Sequence, residues 1–135
     1  MGVIFLRQGK LPEAEAALRA ELKSEPLDLK SRRNLAMILE QEQKPDEALA
    51  LLDGVLKMKP DSAGDRYLKG KILLAQGHSQ EAITQLAIAA RLDPEDPDCH
   101  LQLAQAYQTL GRGEDSAREF ENFRTLKAKK REVTP

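Results

Sequence analysis

Apolar side chains recur through the middle of the chain at the spacing of one helix face. Residues 46–58 carry them in an i, i+3, i+6, i+7 pattern, at Leu49, Leu52, Val55 and Leu56. This pattern predicts a helix with one buried stripe, and residues 29–43 carry a second such stripe. Pro45 suits a first helical position, where its missing N–H costs nothing, and Pro60 ends the segment because a proline inside a helix costs about 3 kcal/mol. The pattern predicts a helical hairpin.

The hairpin recurs with a period of 34 residues. Prolines stand at Pro26, Pro60 and Pro94. Positions that are 34 residues apart form what we call a column. Further columns hold alanine at Ala14, Ala48 and Ala82, large apolar residues at Phe5, Leu39, Leu73 and Tyr107, and glycine at Gly9, Gly77 and Gly111, with Gln43 as the exception. Columns that agree at one period indicate an array of repeats, each built from two helices.

Small residues at one phase of the repeat indicate close packing of the two helices. Antiparallel helices that approach closely need small side chains where their backbones meet and bulky ones beside them. We expect Ala36 to lie against Ala48 and Gly70 against Ala82, with Leu86 filling the adjoining space. The alternative, that alanine only raises helix propensity, does not explain why the small residues keep the 34-residue step.

Three consecutive segments resemble the tetratricopeptide repeat, whose pattern is W-x2-L-G-x2-Y, A-x3-F and P in 34 residues. The matching residues are Leu35, Ala36, Leu39, Ala48, Leu52 and Pro60, then Gly70, Leu73, Ala82, Leu86 and Pro94, then Leu103, Ala104, Tyr107, Ser116 and Phe120. The leading Trp is replaced in every repeat, and Lys69 stands in a Leu position. The resemblance covers residues 1–126 and implies an all-α fold, a right-handed superhelical solenoid of antiparallel helix pairs.

The register predicts one repeat domain over residues 1–131. Its parts are a truncated repeat 1 at 1–28, repeat 2 at 29–62, repeat 3 at 63–96 and repeat 4 at 97–131 with an extended terminal helix, followed by a tail at 132–135. The first helix of repeat 1 starts late, and its apolar segment from Val3 to Leu6 differs from the polar cap expected at a solenoid end. Three explanations stay open: a piece of a longer array, a mis-set start, or a partner covering this end. We favour a fragment or C-terminal part of a longer array.

Composition and charge narrow the class of protein. The 135 residues are 41% hydrophobic and 4% aromatic, too apolar for a disordered chain and too poor in aromatics for most β-sandwiches. The net charge of −1 attracts neither nucleic acid nor a membrane surface. No apolar run reaches the ~18 residues of a membrane span, and no secretory signal is present. We expect a cytoplasmic protein that binds neither nucleic acid nor membrane.

The C-terminal segment has the opposite charge to the rest of repeat 4. Residues 124–135 hold five basic groups against Glu132, whereas residues 97–123 hold five acidic groups against two arginines. A nucleic-acid or membrane patch is one interpretation. We favour a solvated helix end, where cations suit the negative end of the helix dipole.

Candidate catalytic chemistry is sparse. His78 lies in a predicted turn, and His100 holds a position where the family often has Trp. Cys99 and His100 are adjacent, so their side chains point about 100° apart on a helix and form no ready metal pair. Cys99, the single cysteine, is expected to be a small buried apolar residue. With no phosphate-binding glycine loop, metalloprotease or hydrolase motif, the sequence predicts no enzyme, no cofactor and no metal site.

The resemblance implies that a peptide or protein binds along the first helix of each repeat. Projected onto this chain, the lining positions are Lys30, Arg33, Asn34, Met37, Tyr67, Lys71, Leu74, Leu101, Gln102, Gln105 and Gln108. Tyr67 and Leu74 are the expected apolar anchors, and Arg33 and the two lysines are expected to pair with acidic groups. The alternative is that these side chains are only exposed, or contact the next repeat.

One specialised function of the family can be tested on the residues. Chaperone adaptors of this family hold a peptide C-terminus with a clamp of Lys, Asn and Arg side chains. Asn34 matches the middle Asn, but Val3 stands at another Asn position, and Gly64 and Leu68 replace Lys and Arg. The sequence therefore predicts no such clamp.

The sequence predicts a non-catalytic protein-interaction scaffold. A second copy of the chain, bound through the apolar first helix, is a further possible partner. The alternative is a structural or regulatory repeat segment of a larger protein, whose catalytic or membrane domain lies outside this chain.

Overall fold

The computed structural model describes residues 10–133. Within that range the chain forms seven α-helices and no strand. The helices are α1 (Leu11–Ser24), α2 (Leu29–Gln41), α3 (Pro45–Met58), α4 (Ala63–Ala75), α5 (Ser79–Leu92), α6 (Pro97–Thr109) and α7 (Gly113–Val133). The all-α class and the pairing of two helices per 34-residue repeat are confirmed.

Local sequence signals set the helix starts. Asp28 caps α2, because its carboxylate accepts hydrogen bonds from the backbone N–H groups of Lys30 at 3.1 Å and Ser31 at 3.3 Å. Asp96 caps α6 in the same way, accepting from the N–H of Asp98 at 2.9 Å. These side chains satisfy donors that the first turn of a helix leaves unpaired.

In repeats 2, 3 and 4, the turn between the two helices contains a residue with left-handed backbone conformation. Gln43, Gly77 and Gly111 have φ values of +63°, +86° and +73°. Each is followed by a residue whose N–H donates to a carbonyl five positions back, as from Lys44 to Leu39 at 2.8 Å. This closure ends α2 at Gln41, two residues before the predicted boundary at 43, and it explains the glycine column.

The N-terminal unit is the compact part of the chain that ends at Pro60. In it α2 packs against both α1 and α3. The buried side chains come from one stripe of each helix: Ala14, Leu18, Leu35, Ala36, Ile38, Leu39, Ala48, Leu52, Val55 and Leu56. Ala36 and Ala48 are both fully buried, as expected for the small columns.

The C-terminal unit begins at Asp61. Successive helices α4 to α7 pack as neighbours, and the two first helices α4 and α6 also touch each other. Gly70 lies so close to α5 that a Cβ on it would stand 3.3 Å from the carbonyl oxygen of Ala82. The predicted approach of Gly70 to Ala82 is confirmed.

The last helix continues well beyond its partner. Helix α7 runs for 21 residues to Val133, two residues past the predicted end of repeat 4 at 131. Near its end Lys129 forms an ion pair with Glu95 at 3.2 Å. The predicted apolar first helix of repeat 1 lies outside the described residues, and the division into one domain at 1–131 stays a prediction.

Candidate partner-binding site

The predicted lining positions of the C-terminal unit form one stripe on each of α4 and α6. Tyr67, Lys71 and Leu74 follow one another at i, i+4 and i+7, a spacing that places them on one face of α4. Tyr67 and Leu74 are half-buried and Lys71 is exposed. The opposite face of α4 is buried in the core through Leu68, Ile72 and Leu73. On α6, Leu101 and Gln102 are half-buried, and Gln105 and Gln108 are exposed.

Tyr67 and Gln102 join the two stripes. Their side chains form a hydrogen bond between α4 and α6. Burial raises the pKa of the Tyr67 hydroxyl, and the negative charge of Asp98 raises it further. The hydroxyl therefore stays protonated at neutral pH, and its hydrogen bond to Gln102 restricts the motion of the ring.

The predicted positions of the N-terminal unit lie on α2. Lys30 is exposed, whereas Arg33, Asn34 and Met37 are half-buried. Arg33 already has an interaction within the protein, so it is not a free cation waiting for an acidic group. Of the four positions, Lys30 is the most accessible to a partner.

Cys99 and His100 lie in contacts between elements of the fold, whereas His78 is exposed. Cys99 is buried, and burial together with the nearby Asp96 carboxylate raises its thiol pKa to about 12. His100 Nδ1 lies 2.7 Å from the Glu119 carboxylate, which ties α6 to α7. His78 is the exposed residue before α5, and its side chain makes no capping hydrogen bond.

The described residues hold no cluster of three or more His, Cys, Asp and Glu side chains arranged for a metal ion. Between residues 10 and 133, no helix is both long enough and apolar enough to cross a membrane. The two stripes offer a surface of apolar, amide and cationic groups.

One polar column was missed in the sequence. Arg66 donates from Nη1 to the Gln85 side chain at 2.9 Å, one repeat before the contact of His100 with Glu119. Both pairs join a first helix to the second helix of the same repeat, 19 residues later. The 34-residue register was a signal that could have found them, since Arg66 and His100 share one column, and Gln85 and Glu119 share another.

Two family profiles match the sequence. One, described as "Tetratricopeptide repeat", matches residues 1–63, and one described as "TPR repeat" matches residues 70–111. The chain belongs to the tetratricopeptide repeat family. The family accounts for the 34-residue step and for the helix pairs that follow it.

Individual tetratricopeptide relatives are longer proteins. The chain is 35% identical over 72 residues to "TPR repeat-containing thioredoxin TTL4" of Arabidopsis thaliana, covering 53% of this chain and 11% of that protein. It is 25% identical over 125 residues to human "DnaJ homolog subfamily C member 3", covering 82% of this chain and 25% of that protein. The chain thus spans a quarter or less of these relatives.

A solved structure has the same fold. MamA, from residue 41 to its end, of Desulfovibrio magneticus RS-1 superposes with a TM-score of 0.88 and 22% identity, covering 96% of this chain and 73% of that one. The likeness confirms the solenoid class of tetratricopeptide repeats predicted from the sequence.

Proposed function

We propose that this chain is a non-catalytic interaction module, and that a peptide or protein binds to the exposed stripes of its first helices. The observation that supports this most is the Tyr67–Gln102 hydrogen bond. An aromatic ring held in place before binding loses little conformational freedom when a partner covers it. Tyrosine is also among the residues that contribute most to binding at protein interfaces.

The proposed binding surface of the C-terminal unit comprises Tyr67, Lys71, Leu74, Leu101, Gln102, Gln105 and Gln108. Its apolar groups can bury a partner's side chains, and the exposed glutamines can hydrogen-bond an extended backbone. Lys71 supplies one cation for an acidic group. In the N-terminal unit, the proposed contact residues are Lys30, Arg33, Asn34 and Met37. The cytoplasmic location stays a prediction.

Peptide selection on the purified chain tests the proposal. Peptides that bind the wild-type chain are selected from a random library, and their affinities are then measured for Tyr67→Ala, Leu74→Ala and Arg33→Glu. We expect Tyr67→Ala to weaken binding by about tenfold or more, the loss typical of a central aromatic anchor. Tyr67→Phe keeps the ring and loses the hydroxyl, so its loss is expected to be smaller.

Tyr107→Ala is the matched control. Tyr107 is also a half-buried tyrosine on a first helix, but its ring lies beneath the Arg112 guanidinium at 4.9 Å. If every selected peptide binds Tyr67→Ala and the wild type equally while circular dichroism shows an intact fold, the stripes are not the binding surface. The alternative, a structural or regulatory segment of a larger protein, would then be favoured.

A further inference from the structure

The N-terminal unit has an open groove between α1 and α3. Both helices pack on α2, and Arg19 of α1 reaches Glu47 of α3 at 3.5 Å. Beside this ion pair a channel lies along the α2 surface. Two adjoining cavities of about 380 and 330 Å³ lie in it and share Leu22 and Leu51. The remaining lining residues are Arg19, Lys23, Pro26, Arg32, Leu35, Ala50 and Gly54.

Two residues of this groove, Leu51 and Gly54, differ from the residues at the equivalent positions of the next repeats. In repeat 3 the polar column pairs Arg66 with Gln85, and in repeat 4 it pairs His100 with Glu119. In repeat 2 the column holds Arg32, and position 51 is a leucine, which cannot accept a hydrogen bond. The column of Gly54 holds Ile88 one repeat later. Repeat 2 therefore has an apolar floor where its neighbour has a polar pair and a branched side chain.

The Arg32 guanidinium lies along this open floor. Its Nε donates to the carbonyl oxygen of Pro26 at 2.9 Å, and its Nη1 is 3.3 Å from where a Cβ on Gly54 would be. Within the part of the chain that the structure describes, neither Arg32 nor Lys23 forms an ion pair. Two cations thus border the apolar groove without an acidic partner.

Charge complementarity selects the occupant. Three of the lining residues are cationic and none is acidic. Arg19 is already paired with Glu15 at 2.8 Å, which leaves Lys23 and Arg32 for a ligand. A ligand that places an apolar side chain over Gly54 and a carboxylate beside it would contact both the apolar floor and the two cations.

We propose that the groove between α1 and α3 binds an acidic amphipathic peptide segment. An apolar side chain of the segment rests on Leu22, Leu51 and Gly54, and its carboxylates pair with Lys23 and Arg32. This surface belongs to the N-terminal unit and shares no residue with the first-helix stripes, so the two proposals succeed or fail separately.

A designed probe tests the groove directly. The probe is a fluorescein-labelled 16-residue peptide of Leu, Ala and Glu, with leucines on one helical face and glutamates beside them. Its twin carries Gln for every Glu. We expect fluorescence anisotropy to show saturable binding of the acidic probe that weakens with added salt, and at least about tenfold weaker binding of the twin.

Two substitutions close the groove with residues that repeat 3 already uses. Gly54→Ile fills the floor, and Leu51→Gln gives Arg32 a polar partner like that of Arg66. Each is expected to weaken probe binding by about tenfold or more, whereas Lys23→Gln weakens it about threefold and reduces the salt dependence. Using two closures guards against a variant that fails to fold, which the circular dichroism spectrum would reveal.

Matched controls lie one repeat later. Lys57→Gln removes the lysine in the column of Lys23, and Ala87→Ile adds an exposed isoleucine to α5; both are expected to bind the probe like the wild type. Tyr67→Ala is also expected to bind it unchanged. Absent binding, equal binding of the Gln twin, or binding unaffected by both closures would overturn the proposal. Wild-type dimers that Gly54→Ile dissociates, without probe binding, would instead assign the groove to a second copy of the chain.

Discussion

Gly70 and Leu86 are packed so closely that no side chain fits between them. A Cβ on Gly70 would lie 2.6 Å from Leu86 Cγ, and Leu86 is itself fully buried. Carbon atoms do not approach to that distance, so any larger residue at position 70 must displace the Leu86 side chain or push α4 away from α5. The glycine sets the separation of this helix pair, although it lowers the helix propensity of α4.

Gly70→Ala is therefore expected to destabilise the protein. Overpacking a well-filled core costs about 1–3 kcal/mol, and the helix propensity of alanine returns about 1 kcal/mol. The net loss in the free energy of unfolding is expected to reach up to about 2 kcal/mol, measured by urea denaturation. Gly113→Ala is the control, because a Cβ there would meet no atom within 4 Å. A Gly70→Ala variant as stable as the wild type would show that the two helices can separate at no cost.

Gln43→Gly is expected to stabilise the protein by about 0.5–1 kcal/mol. Gln43 has a φ of +63°, a conformation that costs an L-residue about 1–2 kcal/mol and that glycine adopts freely. The greater freedom of glycine in the unfolded chain offsets part of this gain. Thermal unfolding measures the change. Gly77→Ala, at the equivalent turn with φ +86° and open space around it, is expected to change stability in the opposite direction.

Glu42→Gln is expected to raise the melting temperature at pH 7. The neighbouring Glu15 carboxylate raises the pKa of Glu42, while Lys44 and Arg19 oppose the shift. A carboxyl group whose pKa is higher in the folded state binds its proton preferentially there, so ionisation above that pKa costs stability. The advantage of the variant should therefore shrink as the pH falls from 7 through the raised pKa towards the ordinary value of 4.5.

Melting curves of both proteins between pH 4 and pH 7 give this comparison. Glu40→Gln, two residues earlier at the end of α2, controls for the loss of one negative charge. An advantage that stays constant over the whole pH range would argue against repulsion between Glu15 and Glu42 as its cause.

Cys99 is expected to resist alkylation in the folded protein. Its thiol is buried, with a pKa raised to about 12, so the reactive thiolate is scarce at pH 8. Iodoacetamide should modify the native chain at least about a hundredfold more slowly than the urea-unfolded chain, whose thiol has an ordinary pKa near 8.5. Mass spectrometry over time measures both rates. Rapid labelling of the native protein would mean that α6 opens readily.

The helices were predictable because their signals are local. The apolar stripe and Pro45 predicted α3 to within one residue, and the repeat register predicted an extended terminal helix in repeat 4, where α7 lies. The end of α2 was predicted two residues late, because nothing in the sequence marks Gln43 as left-handed. The equivalent position holds glycine in the other repeats, but a glutamine does not by itself indicate a left-handed conformation.

The contents of the candidate sites were only partly predictable. The repeat register named Tyr67 and Gln102 as members of one surface, but not as partners in a hydrogen bond. It also placed Arg32 in the same column as Arg66 without showing that Leu51 leaves its guanidinium over an open groove. Such contacts join residues 19 or more positions apart, and they depend on which side chains meet when helices pack.

The sequence by itself determined the period, the helix pairs and the small residue at each close approach, since hydrophobic spacing, caps and backbone preferences act within one or two helical turns. The tertiary structure alone decided how those helices are joined, through Tyr67 to Gln102 and His100 to Glu119, and where the column of paired residues is broken at Leu51. A repeat copies backbone geometry from one unit to the next. Outside the recurring apolar and small positions, the side chains that meet on that backbone differ from copy to copy, and their contacts exist only once the helices are packed.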